Sequence, residues 1–280
     1  MRVFITGSSG QLGRALAARL EAGEVFPCQR PECDITKPAE IRKAILSARP
    51  EIVLHCAAFT DVDGAARDPA LAYRVNGQGT QNVALACAEA GAAMLYVSSN
   101  EVFDGRATEP YVEIDAPNPI NAYGRSKRAG EWYVTRQLTQ FYVVRTCWLY
   151  AGGGNNFIHK ILARARAGQP LRVVTDEVAS PTFAPDLADA IMRLIATGEF
   201  GVYHLTNAGY CSRFEWARRA LELAGLDGPL EPTTLDSFAR PSTPPPFTPL
   251  ANHAAAALGI NLRPWEEALA EFLGVKYHVP

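Results

Sequence analysis

Tyr123 and Lys127 stand four residues apart in the run NAYGRSK. On a helix that spacing puts both side chains on one face. A free tyrosine ionises near pH ~10. A lysine cation one turn away favours the phenolate, so the pair is suited to proton exchange at a substrate oxygen. A second polar cluster lies upstream, where VSSNEVFDG begins at Val97 as an apolar strand. Before its turn the stretch carries Ser98, Ser99, Asn100 and Glu101, four polar side chains at one strand end.

Both clusters follow a glycine turn. FITGSSGQLG places Gly7, Gly10 and Gly13 between the first apolar run and the first amphipathic one. Gly7 permits a tight turn, Gly10 lets the backbone approach a pyrophosphate, and Gly13 lets a helix pack closely on a sheet. Phosphates would sit on free N–H groups at the helix start. With a dinucleotide bound there, Tyr123 exchanges a proton while the cofactor exchanges hydride. The second strand ends VFPCQRPECDI, with Arg30 at its tip. An acid there would bind a ribose 2′-OH, whereas an arginine pairs with a 2′-phosphate. NADP(H) is therefore favoured, with NAD(H) as the alternative and Arg30 as a solvated loop residue the bland reading. Asp34 and Ile35 would flank the adenine, or Asp34 caps the next helix. At the third strand's end, small Ala57 and Ala58 let a cofactor lie against the backbone. Thr60 could bond to it and Asp63 could orient the following segment. His55 reads better as a satisfied strand-end residue than as a catalyst.

These residues need a scaffold, and the chain supplies an alternating one. RVFIT, a short run near Val25, EIVLHCAA, AMLYVSS and FYVVRTCWLY read as strands. QLGRALAARLEAG, PAEIRKAILSARP, GTQNVALACAEAG and AYGRSKRAGEWYVTRQL read as the helices between them. That alternation predicts an α/β fold, a Rossmann-type doubly wound parallel sheet buried on both faces. After about residue 151 the pattern loosens. The helical runs NFIHKILARARAG, PDLADAIMRLIATG, RFEWARRALELAG and PWEEALAEFL enclose short strands LRVV and GVYHLT. PSTPPPFTP reads as an extended loop. The predicted organisation is a nucleotide-binding domain over 1–150, with later segments returning to it, and a smaller carboxyl-terminal cap over 151–280.

The totals exclude several classes. The 280 residues carry a net charge of -2, so bulk charge does not suggest nucleic acid. No apolar run is long enough to span a bilayer, and the start has no secretory or transit pattern. None of the six cysteines forms a CxxC pair or a zinc-like cluster. The expectation is a cytoplasmic protein with all cysteines reduced and no metal.

The ordered runs GSSGQLG, DITKP, AAFTDVD, YRVNGQGTQNVA, SSNEVFDG, NPINAYGRSKRAGE, RTCWLYAGGGNNF, SPTFAPDLAD and the late pair Arg240–Pro241 carry a resemblance. The chain resembles the extended short-chain dehydrogenase/reductase superfamily and, within it, the dTDP-4-dehydrorhamnose reductase family. The resemblance implies an NAD(P)H-dependent reduction of a 4-keto-deoxysugar nucleotide. It assigns Gly10, Gln11 and Leu12 to the pyrophosphate, and Ala57, Ala58 and Phe59 to the cofactor wall. Tyr123 and Lys127 become the catalytic pair, both also facing the cofactor, and Ser99 the donor to the reacting oxygen. Trp148, Asn156 and Arg240 fall where relatives contact the nucleotide-sugar, although Asn156 could simply cap its helix.

Two departures stand out. The family strand end S-T-D-Y-V-F has become S-S-N-E-V-F: Asn100 replaces the acid and Glu101 the aromatic. Asn100 cannot be an acid or base but can orient a sugar hydroxyl. Ala15 and Pro185 stand where some relatives place glutamates around a bridging magnesium, so no metal-bridged dimer is expected; a monomer or homodimer is. The competing readings are a sugar-nucleotide epimerase or dehydratase with retained NAD, and a non-catalytic regulatory subunit of the same fold, like that of methionine adenosyltransferase.

Overall fold

A computed structural model describes residues 1–21, 23–153 and 156–276. Ala22 of the first predicted helix, Gly154 and Asn155 of the run RTCWLYAGGGNNF, and the last four positions of the expected cap lie outside the described residues. The elements up to the sheet's fifth strand are β1 (Val3–Thr6), α1 (Gln11–Ala17), β2 (Val25–Cys28), α2 (Pro38–Ala48), β3 (Ile52–His55), α3 (Val62–Arg67), α4 (Pro69–Ala72), α5 (Thr80–Ala90), β4 (Ala93–Ser99), α6 (Ala122–Gln137) and β5 (Phe141–Thr146). Then come β6 (Leu149–Tyr150), α7 (Phe157–Arg166), β7 (Leu171–Val174), β8 (Val178–Ala179), β9 (Thr182–Phe183), α8 (Ala184–Thr197), β10 (Gly201–His204), β11 (Cys211–Ser212), α9 (Arg213–Leu223), β12 (Leu230–Thr233), α10 (His253–Ala257) and α11 (Trp265–Leu273).

Six strands form one parallel sheet in the order β10-β5-β4-β3-β1-β2. Alternate residues of the strands serve its two faces. Val3, Ile5, Leu54 and Val144 pack against Leu16 of α1 and Leu187, Ile191 and Leu194 of α8. Phe4, Val53, Met94 and Val143 pack on the other face against α2, α5 and α6. A separate cluster of Tyr150, Ile158, Leu162, Trp216 and Leu269 joins α7, α9 and α11. The pairing register aligns the carboxyl ends: Thr6 lies opposite Cys28 and His55, Ser99 opposite Thr146, and Arg145 opposite His204. Strand order reverses between β1 and β3, and ligands of such sheets bind outside the strand ends at that switch point.

Four details depart from the sequence reading. The run FYVVRTCWLY is two strands, because Trp148 adopts a left-handed backbone (φ 42°) and β6 turns to pair with β9. The first helix stops at Ala17, where i+3 bonds from Arg19 and Leu20 replace helical ones and Arg19 swings out to Asp189. The stretch before α5 is helical too, with α3 and α4 running into a π-helical segment, Tyr73–Gly79. The cysteines are not all reduced: Cys28 and Cys33 form a disulfide, leaving Cys56, Cys87, Cys147 and Cys211 free. The loop after β2 doubles back, bringing the two Cα atoms to 5.4 Å, within bridging range. Cysteine spacing along the chain holds no sign of that fold-back.

Candidate active site

A cavity of about 1140 Å³ opens along the carboxyl ends of the strands. It runs from the β2 tip at Arg30, past the glycine turn, to Tyr123 and on to Trp148 and Arg213. The glycine turn is tight. Gly7 is left-handed (φ 66°), and a Cβ there would lie 2.7 Å from the Ala57 amide nitrogen. A Cβ on Gly13 would lie 2.7 Å from Ser8 Cα. Gly10, Gln11 and Leu12 line the cavity between them, as do Ala57, Ala58 and Thr60 opposite. Phe59 does not line it; the Phe59 N–H donates to Asn76 Oδ1 at 2.7 Å, and its side chain packs on the cluster of Ala65, Ala72 and Ala122.

Two buried oxygens on this wall, Gln11 Oε1 and Thr146 Oγ1, have no hydrogen-bond partner among the described residues. A cradle whose turn is glycine at 7, 10 and 13, faced by small alanines and by unpaired oxygens, fits a dinucleotide. At its adenosine end lie Arg30, Asp34 and Ile35. Arg30 is exposed in the loop that the disulfide closes. Asp34 does not cap α2, whose N-cap is Lys37; its carboxylate accepts from the Thr36 backbone N–H and hydroxyl. Those bonds and the Arg30 charge outweigh its burial and hold its pKa below the usual carboxylate value. His55 is buried between Thr6 and Thr80 hydroxyls, at 2.6 and 3.0 Å. Burial and the Lys127 charge push its pKa down to about 3, so it is a neutral strand-end residue.

At the other end Asn121 starts α6, its side-chain oxygen accepting from Gly124 N–H at 2.8 Å. That cap sets Tyr123 and Lys127 one turn apart, both on the cavity wall. Lys127 is only 3 % exposed, and its ammonium lies 4.4 Å from the Tyr96 ring centroid. Burial lowers its pKa to about 7, against the pull of the Glu131 carboxylate. Tyr123 is shifted the opposite way from the sequence expectation. Burial, and after it the Glu101 charge, raise its pKa well above the ordinary value, with the Ser99 hydroxyl opposing. Burial thus weakens the positive charge that Lys127 holds beside Tyr123, and the tyrosine stays protonated in the resting site.

Ser99 donates to Asn100 Oδ1 and accepts from the Glu101 N–H, both at 3.2 Å. Asn100 lines the cavity, but its amide nitrogen donates to Thr248 at 2.7 Å. Its amide is thus committed to orienting Ser99 and anchoring the Pro-rich segment. Behind Ser99, Ser98 donates to the buried Glu131, which forms a two-point ion pair with Arg145.

The substrate end is aromatic. Trp148, Phe157 and Trp216 line the cavity, and the Arg213 guanidinium sits 3.6 Å from the Trp148 ring centroid. Asn156 both caps α7 through His159 N–H and lines the cavity. Arg240 is not on the wall; it pairs with Asp63 at 3.0 Å, which is how Asp63 holds the late Arg–Pro segment. Reading the residues in order missed Arg213, Trp216, Lys160 and Thr146, all of which line the cavity. Their one-dimensional signals are ordinary helix and strand residues. The capping box at Ser212 and Glu215 marks where α9 starts, but not that its first residue faces a ligand. Among the described residues there is no group of three or more His, Cys, Asp or Glu that could hold a metal ion.

This sheet, with its glycine cradle and strand-end serine beside a Tyr–Lys helix, is the arrangement of the extended short-chain dehydrogenase/reductases. Relatives narrow it. The chain matches the RmlD substrate binding domain over residues 1–277 and belongs to that family. The spore coat polysaccharide biosynthesis protein SpsK of Bacillus subtilis is 36 % identical over 274 residues, covering 97 % of this chain and 96 % of its own. A dTDP-4-dehydrorhamnose reductase of Mycobacterium tuberculosis is 39 % identical over 283 residues, covering 97 % and 92 %. The crystal structure of dTDP-4-dehydrorhamnose reductase from Bacillus anthracis, in complex with NADP, superposes with a TM-score of 0.94 at 36 % identity, covering 97 % and 98 %. No helix among the described residues is long and apolar enough to cross a membrane.

Proposed function

We propose that this chain is a dTDP-4-dehydrorhamnose reductase that works with NADPH. The observation that carries the reading is Tyr123, Lys127 and Ser99 on one cavity wall, continuous with the glycine cradle, in a chain of this family. When bound, the reduced nicotinamide supplies hydride to C4 of the 4-keto sugar. Gly7, Gly10, Gly13, Ala57 and Ala58 hold the cofactor close to the backbone. Arg30, exposed at the β2 tip, supports the 2′-phosphate form.

The remaining steps belong to the chain. The Ser99 hydroxyl turns from Asn100 to donate to the C4 oxygen and polarises the carbonyl. Tyr123 gives its proton to that oxygen as charge develops there. Its raised pKa keeps it protonated until then. Lys127 lies one turn below, its charge compensating the phenolate left behind. Trp148, Asn156 and the neighbouring Arg213 form the sugar-nucleotide side, with Arg213 offering charge to a diphosphate.

The test is oxidation of NADPH and of NADH, followed by reduced-nicotinamide absorbance, with the dTDP-4-keto-6-deoxy sugar generated in situ. The expected result is turnover that prefers NADPH and is lost in Tyr123→Phe with cofactor binding retained. Absence of turnover with cofactor bound overturns the reading and moves the weight to a regulatory role. Arg30→Ala with both cofactor affinities unchanged removes Arg30 from the assignment.

A further inference from the structure

Glu101 is a cavity-wall carboxylate that the reduction described above does not use. The chain turns through one 3-10 turn at Asn100–Val102, which brings Glu101 against the first turn of α6. Three contacts fix it there. Its N–H donates to Ser99 Oγ at 3.2 Å. Its carbonyl lies so close to Gly124 that a Cβ at that position would overlap it. Its Oε2 accepts from Asn121 Nδ2 at 2.7 Å, from the same side chain that caps the helix. The carboxylate is therefore locked beside Tyr123 by the strand end and the helix cap together.

It has no ion pair of its own among the described residues. The two arginines whose charges reach it are already matched: Arg213 with Glu177 at 3.0 Å and Arg240 with Asp63 at 3.0 Å. Asn121 occupies Oε2, and no described side chain or backbone N–H meets Oε1. Glu101 is half-buried on the cavity wall, so its second oxygen faces the space a ligand fills and takes a hydrogen bond from a ligand donor without giving up a protein partner. The ligand in this cavity is a sugar, whose groups are hydroxyl donors. In a 4-keto-6-deoxy sugar, C5 carries the ring oxygen and the methyl group. The one hydroxyl next to the reacting carbonyl is that on C3.

We propose that Glu101 is a specificity-determining residue whose free carboxylate oxygen accepts a hydrogen bond from the C3 hydroxyl of the sugar. The inference rests on the reductase reading and deepens it by naming what the substrate must carry. The bond holds C4 at the distance set by Tyr123 and Ser99. A sugar lacking the C3 hydroxyl leaves the carboxylate desolvated and unpaired, which is how a polar site rejects a deoxy analogue.

The experiment crosses a residue change with a substrate change. Glu101→Gln keeps an oxygen for Asn121 and removes the charged acceptor. Binding of the dTDP-6-deoxy sugar product and its 3-deoxy analogue is measured by calorimetry, and kcat/KM is measured for both 4-keto substrates. In the native protein, loss of the C3 hydroxyl is expected to cost roughly ten- to a hundredfold in both readouts, the worth of one hydrogen bond to a charged group. In Glu101→Gln that ratio is expected to shrink to about threefold or less, the two losses failing to multiply as coupled groups do. Unchanged NADPH affinity and melting temperature show that the variant is folded. A ratio in Glu101→Gln equal to that of the native protein, with native turnover intact, overturns this inference and leaves the reductase standing. Native binding without turnover overturns the reductase reading alone, since the calorimetric ratio still judges Glu101. Neither binding nor turnover overturns both.

Discussion

Arg145→Met tests the foundation under the catalytic wall. Arg145 Nε lies 2.9 Å from Glu131 Oε1 and Nη2 lies 3.0 Å from Oε2, with side chains 4 % and 1 % exposed. Ser98 Oγ donates to the same carboxylate at 2.7 Å, and Arg128 adds a contact at 3.0 Å from a side chain 40 % exposed. Removing one member of a buried pair costs about 3–5 kcal/mol, because the survivor's charge is left without its partner. Here Ser98 remains and Arg128 contributes a solvent-screened attraction worth about 1 kcal/mol or less. The expected loss therefore sits at the lower end, about 3 kcal/mol, or roughly 6–12 °C in melting temperature at 2–4 °C per kcal/mol. Urea unfolding followed by tryptophan fluorescence and circular dichroism reads it. Arg145→Met combined with Glu131→Gln removes both charges and is expected to recover more than half of the loss. A single-variant loss below about 1 kcal/mol, or a double variant equal to the sum of the singles, would refute the view that this pair is desolvated and coupled.

Other outcomes follow from the same geometry. Gly13→Ala puts a Cβ onto the Gly7 carbonyl and 2.7 Å from Ser8 Cα, so α1 must shift; NADPH affinity by fluorescence titration is expected to fall at least about tenfold. Gly228→Ala, whose Cβ meets nothing within 4 Å, is expected to leave it unchanged. His55 and His204 are buried, each with a pKa pushed down to about 3. Unfolding lets both take up protons below their ordinary value, so stability is lost as pH falls from about 6.5 toward 3. The two together contribute up to roughly 2–3 kcal/mol per pH unit, and His55→Gln is expected to flatten the measured dependence. Reduction of the Cys28–Cys33 bridge by dithiothreitol to two thiols frees the loop carrying Gln29 and Arg30. NADPH is then expected to bind roughly three- to tenfold more weakly, the cost of ordering a freed loop. The same treatment is expected to leave Cys28→Ser/Cys33→Ser unaffected, and alkylation in denaturant without reductant to label four cysteines rather than six.

What the sequence determined by itself was everything that depends on short range. Apolar runs alternating with amphipathic helices specified a parallel sheet buried on both faces. The spacing of Gly7, Gly10 and Gly13 specified a tight turn, closed to a Cβ at Gly7 and Gly13. Tyr123 and Lys127 had to share a helix face, because four residues is one turn. Pro38 marked where a helix begins, through its missing N–H.

Tertiary structure decided what depends on distance in space. Whether Lys127 lowers the Tyr123 pKa turned on burial, which no spacing encodes and which acted on both groups toward neutrality. Arg240 met Asp63 instead of lining the cavity, and Arg213 came to lie over Trp148, because the return of the chain after β10 brings segments far apart in sequence together. Cys28 met Cys33 only once the loop folded back. Asn100 and Glu101 are neighbours in sequence with different surroundings. The Asn100 amide is spent on Thr248 and Ser99, while Glu101 keeps a carboxylate oxygen facing the site. Covalent order sets which groups are present and the local geometry they can take. Their solvation and partners, and so their chemistry, come from contacts that exist only in the folded chain.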